Sequence, residues 1–128
     1  MFNKMTILVG IDGSVHSKKA LAEAITIAKC YSGSIKAIAV YQQGMEKKAE
    51  DILSEAKQIL AKEKVEHATL PILGSNPARA LQSIAKQENF SLIVVGSRGL
   101  GSTASLLLGS VSRQVVTDAE CNVLVVKN

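Results

Sequence analysis

Residues 96–110 read Gly-Ser-Arg-Gly-Leu-Gly-Ser-Thr-Ala-Ser-Leu-Leu-Leu-Gly-Ser and directly follow the apolar run Leu92-Ile93-Val94-Val95. The chemistry open to such a segment is anion binding. Glycine allows φ > 0 and lets backbone N–H groups come close to a phosphate. A helical pattern (Val111, Val115, Val116, Ala119) follows the segment. A helix starting near Gly109-Ser110 therefore adds unpaired N–H groups and the positive end of its dipole, and Ser110 adds a hydroxyl donor. Neither the Walker A loop nor the dinucleotide fingerprint G-x-G-x-x-G is present; the spacing from Gly96 through Gly99 to Gly109-Ser110 is G-x2-G-x9-G-[ST]. A second glycine-bearing turn, Val9-Gly10-Ile11-Asp12-Gly13-Ser14, holds the one acid of the two turns. Asp12 can accept from a sugar hydroxyl or help to hold a metal ion. Nucleotide binding is the leading reading of these residues.

The elements that must position them alternate along the chain. Met5–Ile11 reads as a first strand, and Asp12-Gly13-Ser14 as its turn. Ala20, Leu21, Ala24, Ile25 and Ala28 share one side of a first helix that exits at Gly33. Ser34–Tyr41 reads as strand two, and Ala49, Ile52, Leu53, Ala56, Ile59 and Leu60 mark the apolar face of a second helix. Val65–Leu73 is strand three, where Pro71 suits a strand end or a sheet edge. Asn76-Pro77 is an N-cap with proline in the first helical position, ahead of Ala80, Leu81, Ile84 and Ala85 in helix three. Leu92–Val95, a helix from about Ser110 to Ala119, and Asn122–Lys127 complete the chain. Alternation of this kind predicts an α/β fold with a parallel sheet and helices on both faces. Ligands then bind beyond the carboxyl ends of the strands, where the strand order reverses.

A chain of 128 residues is one domain by length. Its charged content of 20% and apolar content of 47% are those of a globular chain. With 3% aromatic residues and no Trp, it lacks the stacking platforms of single-strand nucleic-acid binders. The formal charge of +4 suits an anionic ligand, but the lysines are scattered as on an ordinary solvated surface. Cys30 and Cys121 fit no metal spacing and read as reduced, partly buried thiols. No apolar run has the length of a membrane span and no secretion signal opens the sequence, so the expected location is cytoplasmic.

The glycine signature with both its flanks resembles the universal stress protein family, specifically its ATP-binding branch. The resemblance runs from Ile7-Leu8-Val9-Gly10-Ile11-Asp12-Gly13-Ser14, through the signature, to Leu108-Gly109-Ser110-Val111-Ser112 and the closing Val123-Leu124-Val125-Val126. It implies a single Rossmann-like nucleotide-binding domain over residues 1–128, an open five-stranded parallel sheet of order 3-2-1-4-5, with both glycine turns in one crevice. It implies that Asp12 and the main chain of Val40 lie by the adenine and ribose, and that Gly96, Gly99, Gly109, Ser110 and Val111 hold the phosphates. Gly10 and Ile11 would form part of the adenine wall. The ligand expected is ATP, with ADP and AMP as alternatives, and Mg²⁺ held with the nucleotide through Asp12. Members of the family often carry a long segment after strand two that partly covers the nucleotide. Here only a few residues, to about Met45, intervene, which predicts an open site of modest affinity. Where the family often has proline before the last strand, this chain has Asn122. Strand 122–127 has no charge between Asn122 and Lys127 and would be a sticky edge if uncovered. The resemblance implies that it pairs antiparallel with its copy in a homodimer.

Each residue has a second reading. The glycine segment can be a lid without a ligand, Asp12 can cap helix one or order its turn, and Ser110 can be an N-cap alone. Arg98 can reach a phosphate or stay solvated. His16 reads as a surface helix residue, and His67 lies on a strand with no second ligand nearby. Three functions fit: an ATP-binding stress-response regulatory protein with an unknown protein partner, a slow ATPase, or a nucleotide-free dimeric interaction module. Hydrolysis usually needs a base, a metal and a positioned water, and no phosphate-clamping lysine is evident. Without a basic stripe interleaved with aromatic residues, no nucleic-acid partner is expected.

Overall fold

A computed structural model of the chain describes residues 4–98 and 109–127. Strand and helix alternate as β1 (Thr6–Gly10), α1 (Val15–Tyr31), β2 (Ser34–Tyr41), α2 (Glu46–Lys62), β3 (Glu66–Leu73), α3 (Pro77–Gln87), β4 (Leu92–Gly96), α4 (Ser110–Asp118) and β5 (Asn122–Val126). The strands form one five-stranded sheet of order β3-β2-β1-β4-β5, and every pair in it is parallel. β1 is central, and its middle is apolar because both of its faces are covered: Ile7, Leu8 and Val9 are fully buried. Alternate residues of a strand point to opposite faces, which divides the core in two. Ile7, Val9, Ile35, Ala37 and Val94 pack with α1 and α2, whereas Leu8, Ile38, Ile93 and Val95 pack with α3 and α4.

Local chemistry sets the ends of the helices. Ser14 caps α1, its Oγ accepting the Ser17 N–H at 3.1 Å. The helix ends at Ser32, whose left-handed φ of 52° turns the chain into Gly33. A Cβ on Gly33 would lie 2.7 Å from the Met5 carbonyl oxygen, so only glycine lets α1 return to the sheet there. Asn76 caps α3 through its Oδ1 and the Arg79 N–H, and Pro77 occupies the first turn, as the sequence predicts.

Two helical faces differ from the predicted pattern. Ile59 of α2 is 38% exposed and Val116 of α4 is 49% exposed. In α4 the buried positions are Ser112 and Val115, because the Ser112 hydroxyl is anchored to main chain and sets the rotation of the helix. The edge strands differ in character. β3, with Pro71 in it, alternates between exposed and half-buried residues. In β5 only Val126 is buried; Val123 and Val125 lean on the α3/α4 side and Leu124 on the α1 side. Cys30 is exposed and not partly buried, because it lies on the outer side of α1. Cys121 is half-buried, and desolvation pushes its thiol pKa up. Among the described residues no helix is long and apolar enough to cross a membrane.

Candidate functional site

The strand order reverses between β1 and β4, and a crevice of about 230 Å³ opens beyond their carboxyl ends. Among the described residues six segments reach it, one of them α1 through Ser17. The β1–α1 turn brings Gly10, Ile11 and Asp12; β2 brings Ile38 and Val40; the end of β4 brings Val95, Gly96 and Arg98; α3 brings Pro77 and Leu81; and α4 brings Gly109, Ser110, Val111 and Ser112. Gly10, Ile11, Asp12, Val40, Gly96, Arg98, Gly109, Ser110 and Val111, all singled out in the sequence, thus line one space. Gly99 falls outside the described residues.

A compact hydrogen-bonded turn fixes Asp12. Its Oδ1 accepts the Ser14 N–H at 2.9 Å, and its own N–H donates to Ser17 Oγ at 3.3 Å. The Ser17 hydroxyl donates in turn to the Ser14 carbonyl at 3.0 Å. Asp12 therefore orders its turn, while the helix cap is Ser14. Gly13 takes φ +87° within this turn, a conformation that favours glycine. A carboxylate has several acceptor sites, so this structural role and a place on the crevice wall are compatible.

The opposite end is built by β4 and α4. Gly109 is the N-cap of α4, with φ −73° and ψ 168° and no side-chain cap bond. Ser110 is therefore the first helical residue rather than the cap, and its side chain is exposed. The first amides of a helix have no partner within it, and here they face the crevice with the positive end of the dipole. Neither Gly96 nor Gly109 has a positive φ; at Gly96 glycine is required by close approach. A Cβ there would lie 2.7 Å from the His16 carbonyl carbon and 2.8 Å from its oxygen. The first turn of α1 thus packs directly onto the end of β4.

Two serines that the sequence reading passed over hold this end together. The Ser97 carbonyl accepts the Gly109 N–H at 2.6 Å and the Ser112 hydroxyl at 3.0 Å. The Ser97 N–H donates to the Val126 carbonyl at 2.8 Å. Ser112 Oγ is also 3.1 Å from the Gly109 carbonyl. Both serines are buried, so the two flanks of the glycine segment are tied to each other and to β5.

Val40 offers main chain. Alternate residues of a parallel strand direct their N–H and C=O to opposite neighbours. The Ile38 carbonyl accepts the Ile11 N–H at 2.8 Å, and the Tyr41 carbonyl accepts the Gly74 N–H at 2.9 Å. Ile38 therefore faces β1, and Tyr41 faces β3. Val40 faces the β1 side, two residues beyond the last paired position of β1, Gly10 with Ile38. One N–H donor and one C=O acceptor thus point side by side into the crevice. Ile11, Ile38, Pro77 and Leu81 give this end apolar walls. Among the described lining residues, Arg98 is the one cation and Asp12 the one carboxylate.

The model of the universal stress protein family matches residues 4–127. The chain belongs to the universal stress protein family. A universal stress protein of Thermus aquaticus is 34% identical over 134 residues, covering 95% of this chain and 98% of that protein. A universal stress protein solved in complex with cAMP is 31% identical and superposes with a TM-score of 0.83 over 98% of both chains. The universal stress protein from Archaeoglobus fulgidus in complex with dAMP shares the fold, with a TM-score of 0.81, 22% identity, and coverage of 98% of this chain and 100% of that one. In this universal stress protein, Pro77, Leu81, Ser17, Ser97 and Ser112 are the crevice and support residues that sequence reasoning missed. Ser112 carried a signal: a small polar residue falls in the buried Ser112–Val115 stripe of a helix.

Proposed function

We propose that this universal stress protein is an ATP-binding stress-response regulatory protein that holds an adenine nucleotide in the crevice at the carboxyl ends of β1 and β4. The observation that carries the reading is the open N–H and C=O of Val40, set in the same crevice as the first turn of α4. The N1 of adenine accepts and its amino group donates, complementary to that donor–acceptor pair. Gly10, Ile11, Pro77 and Leu81 give the base an apolar bed. Asp12 accepts from the ribose hydroxyls, and Mg²⁺, when bound with the nucleotide, takes its carboxylate as one oxygen ligand. The phosphates lie against Gly96, Gly99, Gly109, Ser110 and Val111, with Arg98 as their cationic neighbour. Relatives with a cAMP or dAMP complex support an adenine ligand. ADP and AMP fit the same contacts.

The role is binding rather than efficient turnover. The described lining holds no lysine to clamp a leaving phosphate, and Asp12 is already engaged by the Ser14 amide. Nucleotide binding exposes or orders a surface that a protein partner in the cytoplasm then reads. The protein acts as a homodimer through strand 122–127: β5 is an edge strand whose Val123 and Val125 have main-chain groups facing away from β4. The test is to denature the purified protein and identify the released small molecules by mass. Released adenine nucleotide, or saturable uptake of added ATP, ADP or AMP by the stripped protein, is expected; protein that releases none and takes up none at millimolar ATP, ADP or AMP contradicts the proposal.

A further inference from the structure

A second crevice, of about 210 Å³, meets the first one at Ile11, Asp12 and Val40 and extends to the α2 side of the sheet. It exists because the β2–α2 connection is short. Residues 42–45 make a single turn, closed by the Met45 N–H on the Gln42 carbonyl at 2.9 Å, with Gly44 at φ +90°. Ile52, Ala49 and Ala39 give the crevice an apolar floor, and its one cation among the described lining residues is Lys48.

Lys48 is an exposed residue of α2 that is poorly placed for its own helix. It lies in the first turn of α2, where a positive charge opposes the helix dipole. Its neighbour Lys47 offsets that placement by pairing with Asp51 at 2.8 Å. Among the described residues no carboxylate pairs with Lys48. A residue that breaks a local rule without compensation points to a role outside its own element.

The two crevices share Asp12 in their walls; Arg98 lines the first and Lys48 the second. We propose that Lys48 is a specificity residue and that the second crevice takes an anionic group carried on the ribose of a bound adenine nucleotide. The preferred ligands are adenosine nucleotides phosphorylated both at the 5′ position and at a 2′ or 3′ hydroxyl. This rests on the proposal that the first crevice holds the adenine nucleotide. Ile11 and Val40 are shared walls, so a substituent leaving the ribose near Asp12 enters the second crevice, while Asp12 keeps the hydroxyl that remains unesterified. Lys48 then meets a phosphate as a point charge rather than through a fixed fork.

Titration calorimetry with AMP, adenosine 3′,5′-bisphosphate and adenosine 2′,5′-bisphosphate, on wild type and Lys48→Met, tests the assignment. Lys48 is exposed, and methionine is a good helix former, so the variant keeps α2. At least one bisphosphate should bind wild type about fivefold more tightly than AMP, the scale of one exposed charge pair. That gain should vanish in Lys48→Met while AMP affinity stays unchanged. If neither bisphosphate exceeds AMP in wild type, or if the gain survives in Lys48→Met, the inference is overturned while AMP binding still stands. If no nucleotide binds at all, it is the underlying reading of the first crevice that fails, and the inference with it.

Discussion

Gly96 has two explanations that predict different things. As part of a phosphate loop, it matters only when ligand is bound. As the contact that lets α1 lie on the end of β4, it matters to the empty protein. A Cβ at residue 96 would sit 2.7–2.8 Å from the carbonyl carbon, Cβ and oxygen of His16. Two of these atoms are backbone in the first turn of a helix that is pinned by the Ser14 cap and the Asp12 turn. Relief therefore requires the helix or the strand end to move. Overpacking of this kind costs about 2–3 kcal/mol, and removing glycine from the unfolded chain returns about 0.7 kcal/mol. Gly96→Ala should thus lose about 2 kcal/mol in ligand-free protein, a fall in Tm of roughly 8 °C for a domain of this size. Gly10→Ala is the matched control. The nearest atoms to its Cβ would all belong to the Leu81 side chain, the closest at 3.0 Å. A small rotation of Leu81 relieves that contact, and the entropy gain offsets it, leaving stability within about 0.5 kcal/mol of wild type. Urea unfolding of nucleotide-stripped protein measures both. Equal stability of Gly96→Ala and wild type, or an equal loss in both variants, refutes the packing explanation.

Two further outcomes follow from the same geometry. Ser112→Ala removes a buried hydroxyl that bonds the Ser97 and Gly109 carbonyls. Because the Gly109 N–H still satisfies Ser97, the loss should be about 1 kcal/mol, seen as a lower urea midpoint at an unchanged slope. In β5 the Val126 carbonyl faces β4 by accepting from Ser97, so alternation places the Leu124 N–H inward and the Val125 N–H outward. Leu124→Pro should cost about 3 kcal/mol or more of fold stability, whereas Val125→Pro should keep the fold and shift light scattering from dimer to monomer. A Val125→Pro variant that stays dimeric contradicts pairing through this edge.

The sequence carried the architecture because the physics there is local. Apolar runs ending in glycine turns marked the strands, and Ser14, Asn76 and Pro77 announced helix starts by chemistry that acts within a few residues. The residues meeting in the crevice from β1 and β4 were legible for the same reason: each sits in the turn that ends its strand. The contribution of α3 was not legible. Pro77 and Leu81 reach the crevice only because α3 crosses the sheet end beside Gly10, a tertiary fact. Val40 came from family resemblance alone, since a main-chain donor and acceptor leave no mark on side-chain identity. The reason for glycine at position 96 was also hidden. The motif suggests φ > 0, but the φ is ordinary, and the cause is the backbone of His16, far off in sequence.

The central claim, that the first turn of α4 receives the phosphates of an adenine nucleotide, is tested most directly by Ser110→Glu. Ser110 is exposed and opens the helix, where a carboxylate favours the dipole by about 0.3–1 kcal/mol and so keeps or raises stability. The same carboxylate repels a phosphate at that site. Titration calorimetry of stripped wild type and Ser110→Glu with ATP and AMP should show one saturable site in wild type and at least a tenfold loss of affinity in the variant, with urea stability unchanged or higher. Equal affinity in both proteins would contradict the account.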